Sequence, residues 1–324
     1  MKKIVLCLMA VIVGLHFAVH RHASETIVIY SSLEQYRNDA LQDKLAVKFP
    51  DIPIQIMYLP TAKVAAKVRA EGKATDADIL LGVETGYLEL ITNRLEQVSG
   101  YSRLDYLDGL NPRHGKYLIW ESYGGGFAVN TNILKKLGLP EPRTYEDLLN
   151  PKYRNLIALQ DPKSSSTGYN FYLNLRNTRG IEETLLYYDR LNRNVKLYSE
   201  SSSGPVKLLI QGECAIGTAL TYQVVMEMNR GNPLKMIYPP EGSPYSVDGL
   251  AMIEGRSSDS RIEAIFTFLA NDCLVYDKAH YNPGKVLCGQ KGGMANYPSD
   301  IPYADMKDLW NPAVKKELLA RWKY

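Results

Sequence analysis

Histidine and cysteine are scarce in this chain of 324 residues. Of five histidines, His16, His20 and His22 fall near the start, which leaves His114 and His280 for the rest of the chain. Neither belongs to a metal-ligand or triad spacing, and no His-Glu-x-x-His, Walker phosphate loop, Gly-x-Ser-x-Gly or Cys-x-x-Cys occurs. The sequence therefore offers no nucleophile beside its base, and an enzyme is not expected. Cys7 lies in an opening apolar run, and only Cys214, Cys273 and Cys288 follow it. An odd number excludes a complete disulfide framework. Cys273 and Cys288 are candidates to pair, with three buried free thiols as the alternative, and Cys214 reads as a small buried residue. Long lysine or arginine runs are also missing, so no electrostatic footprint for nucleic acid or an anionic membrane is present.

The first residues do carry a pattern. Met1-Lys2-Lys3 precedes an apolar stretch from Ile4 to Val19, then a short polar stretch up to Ser24. A basic start, a moderate apolar run and a polar end describe a secretory signal, expected to span residues 1–23. The run is interrupted by Gly14 and His16 and is short for a membrane span. Removing it takes Lys+Arg from 38 to 35, against Asp+Glu of 35, so the mature chain is formally neutral. Any anion it binds must be held by local groups. About 300 mature residues suit two lobes better than one core.

Hydrophobic periodicity predicts an α/β architecture. Thr26 to Tyr30 reads as a strand and Leu33 to Phe49 as an amphipathic helix. Ile52 to Leu59 is a second strand, Lys63 to Ala70 a helix, and Asp78 to Gly82 a third, continuously apolar strand. This βαβαβ start implies a parallel sheet. Two further strand-like runs, Tyr117 to Glu121 and Phe127 to Asn130, flank Gly124-Gly125-Gly126, which suits either a hinge crossing or a flexible loop. A second α/β set follows, with strands at 155–160, 195–198, 215–220, 234–238 and 247–253. The chain divides as 24–125 for lobe one, 126–247 for lobe two and 248–324 for the return to lobe one.

Ligands of parallel sheets bind beyond the carboxyl ends of the strands, so the loops there carry the candidates. They hold Ser31, Ser32 and Glu34; Glu84; Asp161 to Gly168; Ser199 to Pro205; Tyr222; and Tyr245 to Gly249. Ser164, Ser165, Ser166 and Thr167 precede a helix, and Ser201, Ser202 and Ser203 precede Pro205, a residue favoured at a first helical position. A serine-rich start is often only a cap, yet two on one lobe form a credible anion cradle. Glu34, Glu84 and Asp248 read as acids that bind hydroxyls or face solvent rather than as a catalytic pair. The 23 tyrosines against 6 phenylalanines point to ring packing with phenol hydrogen bonds.

The succession IVIYSS, RAEGKATDADILLG, GFAVNTNIL, YEDLLNPKY, DPKSSSTGY, LIQGECAIG and YPPEGSPYSVDGLAMI resembles the type 2 periplasmic solute-binding proteins of ABC importers, in the ferric-iron, phosphonate and hexose-phosphate branch. The resemblance runs in order along nearly all of the mature chain. It implies two α/β lobes on a two-strand hinge, a ligand in the cleft between them, and a periplasmic monomer without a cofactor that docks on an importer permease. Ferric-iron members use a histidine in the first loop, a glutamate after the third strand and two adjacent tyrosines. Here the first loop has no histidine, Glu84 fits the glutamate, and Thr221-Tyr222-Gln223 offers one tyrosine. Iron thus becomes the alternative, with Glu84 and Tyr222 as ligands and Glu34 and Tyr245 as substitutes. The resemblance favours a phosphorylated or phosphonylated solute, its anion on Ser164 to Thr167 and Ser201 to Ser203. Ser31, Ser32 and Tyr245 complete the expected site, and Glu34, Glu84 and Asp248 accept from hydroxyls or an ammonium at the ligand's far end.

Overall fold

A computed structural model describes residues 26–291 and 293–324. The expected signal segment, residues 1–23, lies outside them. Strand β1 (Ile27–Ser31) leads into helix α1 (Gln35–Lys48), which buries Leu41 and Leu45. Then come β2 (Ile54–Tyr58), α2 (Thr61–Glu71) with Val64 and Val68 buried, β3 (Ile79–Glu84) and the single turn α3 (Thr85–Leu88). β1 pairs in parallel with both β2 and β3. Because β3 is buried along its whole length, its sequence is an apolar run without alternation.

β4 is one continuous strand, Leu118–Asn130, where the sequence reading had two runs separated by the triple glycine. The glycines do not break it; they let other chain segments approach. A Cβ on Gly125 would lie 2.6 Å from the Ala219 carbonyl oxygen, and one on Gly126 would lie 2.5 Å from that of Ile237. A Cβ on Gly124 would meet the Tyr303 ring at 2.5 Å. The three glycines thus serve close packing of neighbouring strands and of an aromatic ring.

The chain continues through α4 (Thr131–Leu137), β5 (Ile157–Gln160), α5 (Ser166–Arg179), α6 (Ile181–Leu191) and β6 (Val195–Ser199). After these come α7 (Gly204–Ile210), β7 (Ile216–Leu220), α8 (Thr221–Asn229) and β8 (Leu234–Ile237). β9 (Tyr245–Met252) then precedes α9 (Ser260–Phe268), α10 (Leu274–His280) and α11 (Pro312–Arg321). The strand order is β2-β1-β3-β9-β4-β7-β5-β6, with β8 also on β4. From Leu118 to Gly124, β4 pairs antiparallel with β9; from Gly125 onward it pairs with β7 and from Phe127 with β8. The two antiparallel strands β4 and β9 thus join two parallel-cored layers, β1-β2-β3 and β5-β6-β7.

Each layer has its own core. One gathers Leu41, Leu81, Trp120 and Phe266; the other gathers Phe127, Tyr172, Ile216 and Trp322. The end of the chain belongs to the second: Trp322 packs on Tyr172 and Tyr188 with ring centroids 5.2 and 4.8 Å apart, and Met306, Leu309 and Leu318 are buried beside them. Residues 304–322 thus touch both layers, since Lys315 also pairs with Glu84 and Trp310 donates to Thr85 Oγ1 at 2.8 Å. The aromatic cluster holds Trp322 against the second core, a contact that helical periodicity does not encode. The lobe boundaries after 125 and 247 are retained as a proposal. Cys214 and Cys273 are buried, Cys288 is exposed, and all three are free thiols, so Cys273 and Cys288 do not pair.

Candidate functional site

A small cavity opens where the carboxyl ends of the strands face one another across β4 and β9. Lobe two contributes Ser164, Ser165 and Ser166 from the start of α5, Ser202 and Glu200 from the loop after β6, and Tyr222 from α8. Lobe one contributes Ser32, Glu34, Tyr58 and Thr61, with Asp248 on β9 and Tyr123 on β4 closing the floor. Of the residues expected at the site, Ser32, Glu34, Ser164, Ser165, Ser166, Ser202, Tyr222 and Asp248 meet here.

The serine loops converge as the sequence pattern requires. The Asp161 carbonyl accepts from the N–H groups of Ser164 and Ser165 at 3.2 and 2.8 Å, and its carboxylate accepts from the Lys163 N–H and the Ser164 hydroxyl. The first backbone bond of α5 runs from Tyr169 N–H to the Ser165 carbonyl at 3.0 Å, so the N–H groups of Ser166, Thr167 and Gly168 precede the helical ladder. Thr167 donates to the Ser202 hydroxyl at 2.9 Å, and the Ser165 and Ser202 hydroxyls lie 3.3 Å apart. Behind them, Gln160 donates to the carbonyls of Ser202 and Thr218, which fixes the second loop against the first. A Cβ on Gly168 would stand 2.7 Å from the Gln160 carbonyl oxygen, so only glycine lets α5 start this close to β5. This arrangement gathers N–H and hydroxyl donors at a helix N-terminus, which favours a bound anion.

Other expected residues stand elsewhere. The buried Ser31 donates its hydroxyl to Asn38 at 2.6 Å and accepts from the Leu33 N–H, so it shapes the loop from behind. Thr167 is buried under Ser202, while Ser201 bonds back to Ser199, and neither it nor Ser203 lines the cavity. Tyr245 faces Tyr303 on a second hollow, its ring centroid 5.5 Å away. Glu84 is fully buried and paired with Lys315 of α11 at 2.5 Å, and it also accepts from the Gly86 N–H and the Ser246 hydroxyl. It is thus taken up by the protein itself. Lys315 is 231 residues away in sequence, which is why no local pattern revealed the pair. Burial pulls the Lys315 ammonium below its usual range, against the pull of Glu84. Glu84→Gln should therefore destabilise the fold by about 1–3 kcal/mol, by leaving a buried cation without its anion, while the order of ligand preference stays as in wild type. Urea titration and calorimetry on the variant check the two halves.

Thr61, Tyr58, Tyr123 and Glu200 line the cavity without having been expected. Tyr58 and Thr61 flank the carboxyl end of β2, and the rule that found the other loops would have found them too. Glu34 bridges the lobes, accepting from Tyr222 Oη and Gln223 Nε2, each at 2.5 Å, and from Arg37 at 3.1 Å. Lys63 and Glu200 form a second bridge across the mouth at 2.7 Å, both well exposed. Burial, with Glu34 and Glu121 beside it, pushes the Tyr222 hydroxyl well above the usual phenol range, so it is a protonated donor. Burial likewise pushes the Asp248 carboxyl far up, with Glu121 and Glu84 adding to the effect. Lysine and arginine are absent from the cavity lining among the described residues.

Comparison with known proteins agrees with this architecture. Residues 76–283, more than half of the chain, match the family model of bacterial extracellular solute-binding proteins. An uncharacterised protein of Haemophilus influenzae is 25% identical over 256 residues, covering 75% of this chain and 72% of its own. The thiamine-binding periplasmic protein of Brucella melitensis is 26% identical over 189 residues, covering 56% of this chain, which spans 54% of that relative's length. Among solved structures, the periplasmic binding protein AfuA from Actinobacillus pleuropneumoniae, with exogenous fructose-6-phosphate bound, superposes with a TM-score of 0.80 at 22% identity, covering 92% of this chain and 98% of its own. That likeness establishes the two-lobed periplasmic binding fold. Among the described residues no helix is long and apolar enough to cross a membrane. With the match across residues 76–283 and a cavity between two lobes, this chain belongs to the bacterial extracellular solute-binding proteins, and it is a binding receptor rather than an enzyme.

Proposed function

We propose that this receptor captures a small phosphorylated or phosphonylated solute between its lobes and delivers it, as a periplasmic monomer, to the permease of an ABC importer. One observation carries the reading: the two serine-rich loops meet at the N-terminus of α5, where Ser165, Ser166 and Ser202 line one cavity beside N–H groups outside the helical ladder. Such a cradle holds phosphate through dipoles and hydroxyls without a lysine or arginine. The fructose-6-phosphate bound to AfuA is consistent with that chemistry. Ferric iron is disfavoured, because among the described residues the cavity lining holds no histidine and Glu84 is held by Lys315, which leaves few of the hard ligands that iron requires.

Capture involves closure about β4 and β9 near Gly124 to Gly126 and Val247 to Gly249, with Glu34 to Tyr222 and Lys63 to Glu200 as the contacts made on closing. Small-angle scattering should show a smaller radius of gyration once a verified ligand is added; an unchanged radius removes closure from the account. The ligand class is tested by thermal-shift screening against hexose phosphates, phosphonates, thiamine, spermidine and ferric citrate. A ligand at a hundred times its dissociation constant adds about 2.7 kcal/mol. Stabilisation is expected from phosphorus-bearing compounds, and stabilisation by thiamine, spermidine or ferric citrate alone would overturn the reading.

A further inference from the structure

Three carboxyl groups stand side by side across the sheet where the lobes meet. Asp248 on β9 is in register with Glu84 on β3 and with Glu121 on β4. Like charges on directly opposed residues repel, and here they are buried. Each outer acid has its own cation: Glu84 has Lys315 at 2.5 Å, and Glu121 has Arg37 together with Lys278 at 3.5 Å. Asp248 has none. It is 7% exposed, it lines the cavity, and its Oδ1 has no hydrogen-bond partner within the protein. A buried carboxylate without a cation of its own, between two others, is strongly disfavoured, and the group escapes the cost by keeping its proton.

The neighbourhood offers that proton two directions, toward Glu121 within the sheet and toward the anion cradle. Tyr123 on β4 is a polar neighbour of Asp248, and its hydroxyl donates to Ser166 Oγ at 3.3 Å, so a short chain links Asp248 to the start of α5. Resting on the proposed phosphorylated solute, we infer that Asp248 serves the ligand as a neutral carboxylic acid, donating its proton to an anion oxygen opposite Ser165 and Ser166. This reverses the role expected from sequence, in which Asp248 accepts from hydroxyls or an ammonium. It also explains how a cleft lined with acids admits a phosphate: one of the lining acids carries no charge and adds a donor.

The raised pKa of Asp248 fixes the direction of its pH response. The donor is present below that pKa and is lost as pH rises through it, so affinity falls on the alkaline side. The ligand's own second ionisation, near pH 6, raises affinity earlier in the titration. The other groups facing Asp248 are Glu84 with Lys315, Glu121 with Arg37 and Lys278, Tyr123, and, on the cavity walls, Glu34, Glu200, Tyr58 and Tyr222. Asp248→Asn keeps a donor and cannot ionise, so it separates the Asp248 limb from all of these.

The test pairs a spectrum with a titration. Infrared difference spectroscopy of wild type against Asp248→Asn at neutral pH should show the carbonyl band of a protonated carboxyl, present without ligand and absent from the variant. A carboxylate signature in its place overturns the proposal. Calorimetry with fructose 6-phosphate and with inorganic phosphate should then show Asp248→Ala weakened by about tenfold to a hundredfold, with Asp248→Asn recovering most of the loss and lacking the alkaline fall. Wild-type affinity in Asp248→Ala, or an Asp248→Asn variant as weak as alanine, contradicts donation. If neither probe binds wild type while the protonated band is present, the phosphorylated-solute reading fails and donation to an anion fails with it, whereas the proton on Asp248 stands on the spectrum.

Discussion

Arg37→Ala should destabilise the fold by about 3–5 kcal/mol, the range for stripping one partner from a buried ionic cluster. The Arg37 side chain is fully buried and holds three acids at once: Asp277 through Nε at 2.9 Å and Nη2 at 2.7 Å, Glu121 through both terminal nitrogens, and Glu34 through Nη1 at 3.1 Å. Alanine leaves Glu121 with Lys278 and Asn282, and Asp277 with Lys278 at 3.2 Å, so one ammonium must serve two buried carboxylates. A pH signature accompanies the loss. Burial alone would raise the Glu121 carboxyl, but Arg37 and then Lys278 overcome it and hold it down to about 2. A carboxyl depressed below its unfolded value of ~4.3 contributes stability that is present above that pH. In wild type this contribution disappears as pH falls from about 4.3 toward about 2. Without Arg37 the Glu121 pKa rises, and acid unfolding should begin at a higher pH. Urea titration at neutral pH and circular dichroism during acidification check both parts; a variant as stable as wild type would mean that the cluster contributes little.

The second large effect concerns binding. Ser165→Ala with Ser166→Ala removes two hydroxyls from the cradle while leaving the N–H groups of α5 in place. Each charge-assisted hydrogen bond lost costs about 1.5–3 kcal/mol, so affinity for a phosphorylated solute should fall by on the order of a hundredfold or more. Neither serine caps α5 through its side chain in the present structure, so the melting temperature should change little. Calorimetry on the best ligand from the screen decides the matter. Unchanged affinity would move the clamp to Ser202 and the loop after β6.

What the sequence revealed and what it hid divide along a physical line. The strands and helices from β1 to β3 were legible because their apolar spacing is local, and boundaries moved by only a few residues, as when Lys63 to Ala70 became Thr61–Glu71. The serine loops were legible because a serine-rich stretch ahead of a helix is written in adjacent residues, although neither Ser165 nor Ser203 makes a side-chain cap bond. The ionic partners were hidden: Arg37 meets Asp277 at a separation of 240 residues, and no periodicity links them. For the same reason Glu84 looked like a cleft acid, since Lys315 lies on α11, near the other end of the chain. The glycines at 124–126 were legible only in part: their composition suits a hinge crossing or a flexible loop, and they lie within one continuous strand, where neighbouring strands and the Tyr303 ring come too close for a side chain. Packing against distant segments settled each of these points.

The most direct test of the central claim compares the best phosphorylated ligand with the same molecule lacking its phosphate, by titration calorimetry on the wild-type protein. If the cradle of Ser165, Ser166 and Ser202 holds the anion, the phosphorylated form binds and the stripped form gives no measurable heat of binding. Equal affinity for the two would place recognition in the remainder of the ligand and contradict the account.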